Sequence, residues 1–213
     1  MESSVTMQKK LICLGDSLTF GYGVRPSLRW TNVAAKETGW EVINEGINGD
    51  TTGGMLARLQ TKVLPALRVG TFCVNRPCVL LMGGANDVFY SGTDTAARAN
   101  MGAMLHQLLA AGVFPLVGSP LPVDAAHAPE AWAAAVDFSA AAECLRGYRG
   151  WLVRFCAAFG VPLVDFCADF LSPDGRICTE LLLDGLHPTP EGHQLMARRL
   201  CAQMKENNRD NDN

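Results

Sequence analysis

No stretch of this chain approaches the twenty or so consecutive apolar residues of a membrane-spanning helix, so no membrane span is expected. Basic charge is not in excess either. Lys and Arg number 18 against 21 Asp and Glu, and the basic residues are scattered, which excludes a broad footprint for nucleic acid or an anionic lipid surface. The eight cysteines contain no C-x-x-C pair, so neither a zinc knuckle nor a redox dithiol is indicated. Most sit inside apolar runs, such as Ile12-Cys13-Leu14 and Phe155-Cys156-Ala157, and are expected as reduced, buried thiols. The polar segment Met1 to Lys10 leads into an apolar stretch, Leu11 to Leu14, that is too short for a signal-peptide core. A cytoplasmic protein is therefore expected. There is no internal repeat, no linker and no G-x-S-x-G elbow of the kind that presents the nucleophile in α/β-hydrolases.

What the chain does have is alternation. Short, nearly continuous apolar runs occur at Lys10–Leu14, Glu41–Ile47, Pro77–Gly83, Val113–Gly118 and Val161–Phe166, as expected of strands buried on both faces. Between them apolar residues recur at intervals of three and four, as in Leu56, Leu59, Val63 and Leu67, and in Leu145, Tyr148, Leu152, Phe155 and Phe159. A last helix is expected to start at Thr189 as cap with Pro190 in its first turn, and to bury Leu195, Met196 and Leu200. This pattern predicts an α/β domain over residues 1–204, with about five parallel strands between two helical layers. The polar tail, 205–213, is expected to be disordered.

In such sheets ligands bind outside the carboxyl ends of the strands. Polar segments fall there. Gly15-Asp16-Ser17-Leu18 follows the first strand, Asn48-Gly49-Asp50 the second, and Gly84-Ala85-Asn86-Asp87 the third, while Asp184-Gly185-Leu186-His187-Pro188 precedes the last helix. Taken one at a time, each is also ordinary turn or capping chemistry. Taken together they supply what acyl transfer needs. Ser17 is a candidate nucleophile, His187 its general base, and Asp184 the partner that fixes the imidazole tautomer. The N–H groups of Ser17 and Gly49 and the amide of Asn86 are candidate donors to the oxyanion.

These four blocks, in this order and over nearly the whole chain, resemble those of the GDSL-type, or SGNH, hydrolase family. The resemblance implies a flavodoxin-like sheet and esterase, lipase or thioesterase activity on a small-molecule ester, with no metal and no cofactor. It carries the same roles onto Ser17, Asp184, His187, Gly49 and Asn86. Ala85 between Gly84 and Asn86 is a small departure from the family pattern.

Other features carry less. Ser119 to Phe138 is rich in Pro and Ala, follows the fourth strand, and is a candidate wall or lid through Trp132, Val136 and Phe138. Phe89, Tyr90 and Tyr22 flank the catalytic loops and either line the site or pack the loops down. Asp87 is read as ordering the Asn86 loop, His193 as a surface or supporting residue, and His106 as packed or solvated; His127 is assigned no role. Three alternatives remain open at this point. One is a thioesterase, sugar deacetylase or acyltransferase using the same residues. Another is a metal-dependent phosphoesterase, disfavoured by only four His and no D-x-H pair. The third is a binding module of the same fold without catalysis. The oligomeric state is not readable.

Overall fold

The computed structural model describes residues 9–69 and 77–211. Met1–Gln8, Cys73 and the last two residues of the polar tail, Asp212-Asn213, lie outside them. The strands are β1 (Lys10–Gly15), β2 (Glu41–Gly46), β3 (Cys78–Met82), β4 (Phe114–Gly118) and β5 (Leu163–Val164), all parallel, in the order β2-β1-β3-β4-β5. Four of the five follow the expected runs closely. β5 keeps only two residues, because the chain turns at Phe166 into a 3₁₀ segment, Phe166–Phe170.

The sheet separates two apolar layers because successive residues of each strand face opposite ways. Leu11 and Cys13 join Leu80 and Met82 against α2 (Trp30–Thr38) and the C-terminal helix α8 (Pro190–Asn211). Ile12 and Leu14 join Val79 and Leu81 against α3 (Thr52–Arg58), α4 (Leu64–Val69), α6 (Thr95–Ala110) and α7 (Phe138–Phe159). Two short helices complete the set, α1 (Ser17–Phe20) after β1 and α5 (Ala85–Ser91) after β3. Leu81 and Leu152, both fully buried, show the scale: truncating either to Ala is expected to cost about 2–5 kcal/mol.

Three local features have clear causes. Between α3 and α4 the helix widens into a π-turn, Leu59–Val63, just before Pro65, whose ring nitrogen has no hydrogen to donate. α8 starts as expected, Gly192 N–H donating to Thr189 Oγ1 at 3.2 Å. It then stays helical from Lys205 to Asn211, where a disordered tail was expected. A helix already anchored by buried Met196, Leu200 and Met204 extends through good helix formers such as Gln203, Lys205 and Glu206.

With strand order 2-1-3-4-5 the crossovers run opposite ways from β1, so a crevice opens at the carboxyl ends of β1 and β3. Ser17 and Asn86 lie one turn beyond those two ends.

Candidate active site

Ser17 is the first residue of α1, directly after β1. The junction is tight: a Cβ at Gly15 would stand 2.1 Å from Thr19 Oγ1 and 2.5 Å from Met82 O. Asp16 caps the helix, Leu18 N–H donating to its Oδ1 at 2.9 Å. The early N–H groups of α1, that of Ser17 among them, have no carbonyl within the helix to bond.

His187 arrives from the other end of the chain. Its Nε2 lies 2.9 Å from Ser17 Oγ. Its Nδ1 lies 2.8 Å from Asp184 Oδ2, while Asp184 Oδ1 accepts from the N–H groups of His187 at 2.8 Å and Leu186 at 3.1 Å. Burial opposes ionisation of Asp184, but the His187 ring and these two N–H groups outweigh it and hold the carboxyl below its usual range. An ionised carboxylate only accepts. Nδ1 therefore carries the ring proton, and Nε2 presents a lone pair to the Ser17 hydroxyl. Gly185, at φ +74°, makes the turn possible; a side chain there would meet Asp124 O at 2.5 Å.

The two oxyanion candidates come from separate loops. Gly49 adopts φ +74°, which favours glycine. Asn86, the second residue of α5, is largely buried and donates through Nδ2 to Asp50 O at 2.8 Å. Asp87 points away: its two oxygens accept from Thr52 N–H at 2.9 Å and Thr52 Oγ1 at 2.6 Å, tying α5 to α3. That is a loop-ordering contact.

Ser17, His187, Gly49 and Asn86 line one cavity of about 300 Å³. Of the four aromatic candidates, Phe89, Tyr90 and Trp132 are in its wall. Phe138 is not. It is the first residue of α7, whose N-terminus Asp137 caps, and it is buried behind Phe89 with ring centroids 5.7 Å apart. Val136 packs against the same core. Tyr22 lines the cavity and leans on the His187 ring at 4.6 Å. Leu121, Val123 and Leu186 complete a mostly apolar wall.

Two buried ionisable groups stand close to the Ser17–His187 pair. Asp16 is buried with Oδ2 lacking a hydrogen-bond partner, and this desolvation lifts its pKa to about 7 despite Leu18 N–H and nearby His187. His193, expected at the surface or in a supporting role, is fully buried. It accepts from Trp30 N–H at 3.3 Å through Nδ1, and burial lowers its pKa to about 4. His106 stands edge-on to Phe159 at 5.1 Å. His127 pairs with Asp124 at 2.6 Å in a second D-x-x-H that sequence reading passed over, although its spacing repeats that of Asp184 and His187. Among the described residues, no group of three or more His, Cys, Asp or Glu side chains is gathered to hold a metal ion. No described helix is long and apolar enough to cross a membrane.

Residues 13–195 match the model of the GDSL-like lipase/acylhydrolase family. No curated protein matches the chain. Among solved structures, the chain is similar to a lipolytic protein of the G-D-S-L family from Desulfitobacterium hafniense, with TM-score 0.74 and 20% identity over 92% of this chain and 99% of that one. It is also similar to the M. smegmatis aryl esterase, with TM-score 0.73 and 23% identity over 93% and 99% of the two chains. A carbohydrate acetylesterase family member from Sinorhizobium meliloti gives TM-score 0.72 and 21% identity over 93% and 98%.

Proposed function

The chain belongs to the GDSL-like lipase/acylhydrolase family, and from that premise we propose that it hydrolyses small carboxylic esters through an acyl-enzyme on Ser17. The observation that carries this reading is the line Asp184–His187–Ser17, with Nδ1 on the carboxylate at 2.8 Å and Nε2 on the hydroxyl at 2.9 Å. His187 takes the Ser17 proton as Oγ attacks the ester carbonyl. The tetrahedral oxyanion is held by the N–H groups of Ser17 and Gly49 and by the Asn86 amide. The alkoxide leaves as an alcohol with the proton from His187. Water, deprotonated by the same imidazole, then attacks the acyl-enzyme and releases the acid.

The wall favours a short acyl chain or an aryl group: the cavity is about 300 Å³ and lined by Leu121, Val123, Leu186, Phe89 and Trp132. Two similar structures, an aryl esterase and a carbohydrate acetylesterase family member, support an ester substrate without singling out its alcohol. Single-domain organisation and a cytoplasmic setting are part of the same reading, the second supported by thiols sunk in the core at Cys13, Cys156 and Cys167. The test is a panel of esters graded by acyl length, with one thioester and one acetylated sugar, run on wild type and Ser17→Ala beside fluorophosphonate labelling. Short esters are expected to turn over fastest, and both turnover and label are expected to vanish in the variant. Undiminished hydrolysis by Ser17→Ala overturns the proposal.

A further inference from the structure

Arg58 reaches the site from the end of α3, and its guanidinium fills the space where β1, β2 and the Gly49 turn meet. Nη1 donates to Glu45 O at 2.7 Å and Nη2 to Gly15 O at 2.9 Å, so one planar group bonds carbonyls at the ends of two neighbouring strands. Nε and Nη2 also donate to Asp50 Oδ2 at 3.0 and 2.5 Å. The backbone carbonyl of Asp50 accepts from Asn86 Nδ2 at 2.8 Å. Both members of the pair are largely buried, their side chains 17% and 14% exposed.

Each candidate oxyanion donor is therefore one or two residues, or one hydrogen bond, from this network. Ser17 lies two residues after Gly15, Gly49 directly precedes Asp50, and Asn86 bonds Asp50 itself. We propose that the Asp50–Arg58 pair is the positioning unit of the oxyanion hole, an inference that rests on the ester-hydrolase reading above. An Asn amide has two hydrogens. Asp50 O takes one and thereby fixes the rotation of the amide plane, leaving the second for the substrate oxygen. The guanidinium fork sets the Asp50 turn against both strand ends, and a planar, multidentate donor does this where a single ammonium cannot.

Gly54 supports the assignment independently. A Cβ there would stand 1.8 Å from Asp50 Oδ1. Glycine inside a helix is unfavourable relative to alanine. At this position its lack of a side chain is what leaves room for the Asp50 carboxylate.

The test measures kcat and KM on a short soluble ester, normalised to active sites titrated with a fluorophosphonate, for wild type, Arg58→Ala, Arg58→Lys and Gly54→Ala. Gly54→Ala displaces the carboxylate while leaving Arg58 and every charge in place. It also reports if the Arg58 variants fail to fold. In Arg58→Ala and Gly54→Ala, kcat per titrated site is expected to fall about 10- to 100-fold while KM stays within about threefold, as for misplaced transition-state donors. Arg58→Lys is expected to recover only part of the loss, and added guanidinium ion to raise kcat of Arg58→Ala but not of Gly54→Ala. The proposal is overturned if kcat per titrated site stays within about twofold of wild type in both, or if the loss appears only as fewer titrated sites. A wild type with neither turnover nor label overturns the ester-hydrolase reading and this proposal with it. An active, labelled wild type with unaffected variants overturns this proposal alone.

Discussion

On one side of the cavity, Ser17, Gly49 and Asn86 project from strand ends whose supports are bonded to one another: Asp87 to Thr52, Arg58 to Asp50, and Asn86 to Asp50 O. On the other side, Tyr22 and Trp132 are 48% and 46% exposed, and Trp132 sits in a single 3₁₀ turn, Glu130–Trp132. The reacting side has little freedom to adjust and tolerates electrostatic strain, seen in buried Asp16 with its unpartnered Oδ2. The two wall aromatics stand half in solvent and carry no unpartnered buried polar atom. Donors to a developing charge act through geometry fixed before reaction. An apolar wall acts through area removed from water, which tolerates movement. Substitutions on the two sides should differ accordingly, in kcat on one and in substrate preference on the other.

The largest effect is expected from Asp184→Asn. Its oxygen still accepts from His187 and Leu186 N–H, but its amide now donates to Nδ1 and moves the ring proton to Nε2. Steady-state kinetics should give a kcat about 10⁴-fold lower with little change in KM. Next is Asn86→Ala, expected to lose about 100- to 1000-fold in turnover; full turnover on the best ester would remove Asn86 from the reacting side.

Asp16→Asn tests the strain. The folded-state pKa, about 7, lies above the unfolded value near 3.8, so the folded protein binds the proton more tightly and wild-type stability falls as pH rises between those values. Denaturant midpoints at pH 5 and pH 7 should show the variant gaining about 2 kcal/mol on wild type over that interval. His193, with its pKa lowered to about 4, drives stability the opposite way between about pH 4 and 6.5, but equally in both proteins. The difference between them therefore isolates Asp16.

Trp132→Ala should do least. It should lower kcat/KM for an aryl or longer acyl ester by less than about tenfold and leave an acetyl ester nearly unchanged. A large loss of kcat on the acetyl ester would erase the contrast between the two sides.

The sheet was legible because its strands are buried on both faces and so read as unbroken apolar runs, and the positions of Ser17, Gly49 and Asn86 followed from the strand-end rule. Their partners were harder to see. Arg58 is one basic residue between Leu56 and Leu59, and nothing local marks it as reaching two strand ends. Phe138 was misread because its neighbours suggested a loop, whereas Asp137 starts α7 there, with Ala140 N–H donating to it at 3.0 Å, and the ring turns into the core. His193 follows Thr189 by four residues in α8, and its burial depends on α2 packing across it, a long-range contact that no local pattern encodes.

The most direct test of the account is rapid mixing of the protein with a chromogenic short-chain ester, followed by acid quench and mass measurement of the intact chain and its peptides. The account predicts a burst of alcohol close to one per chain and a single acyl group on Ser17, both absent from Ser17→Ala. An acyl group on any other residue, or steady turnover by Ser17→Ala at the wild-type rate, would contradict it.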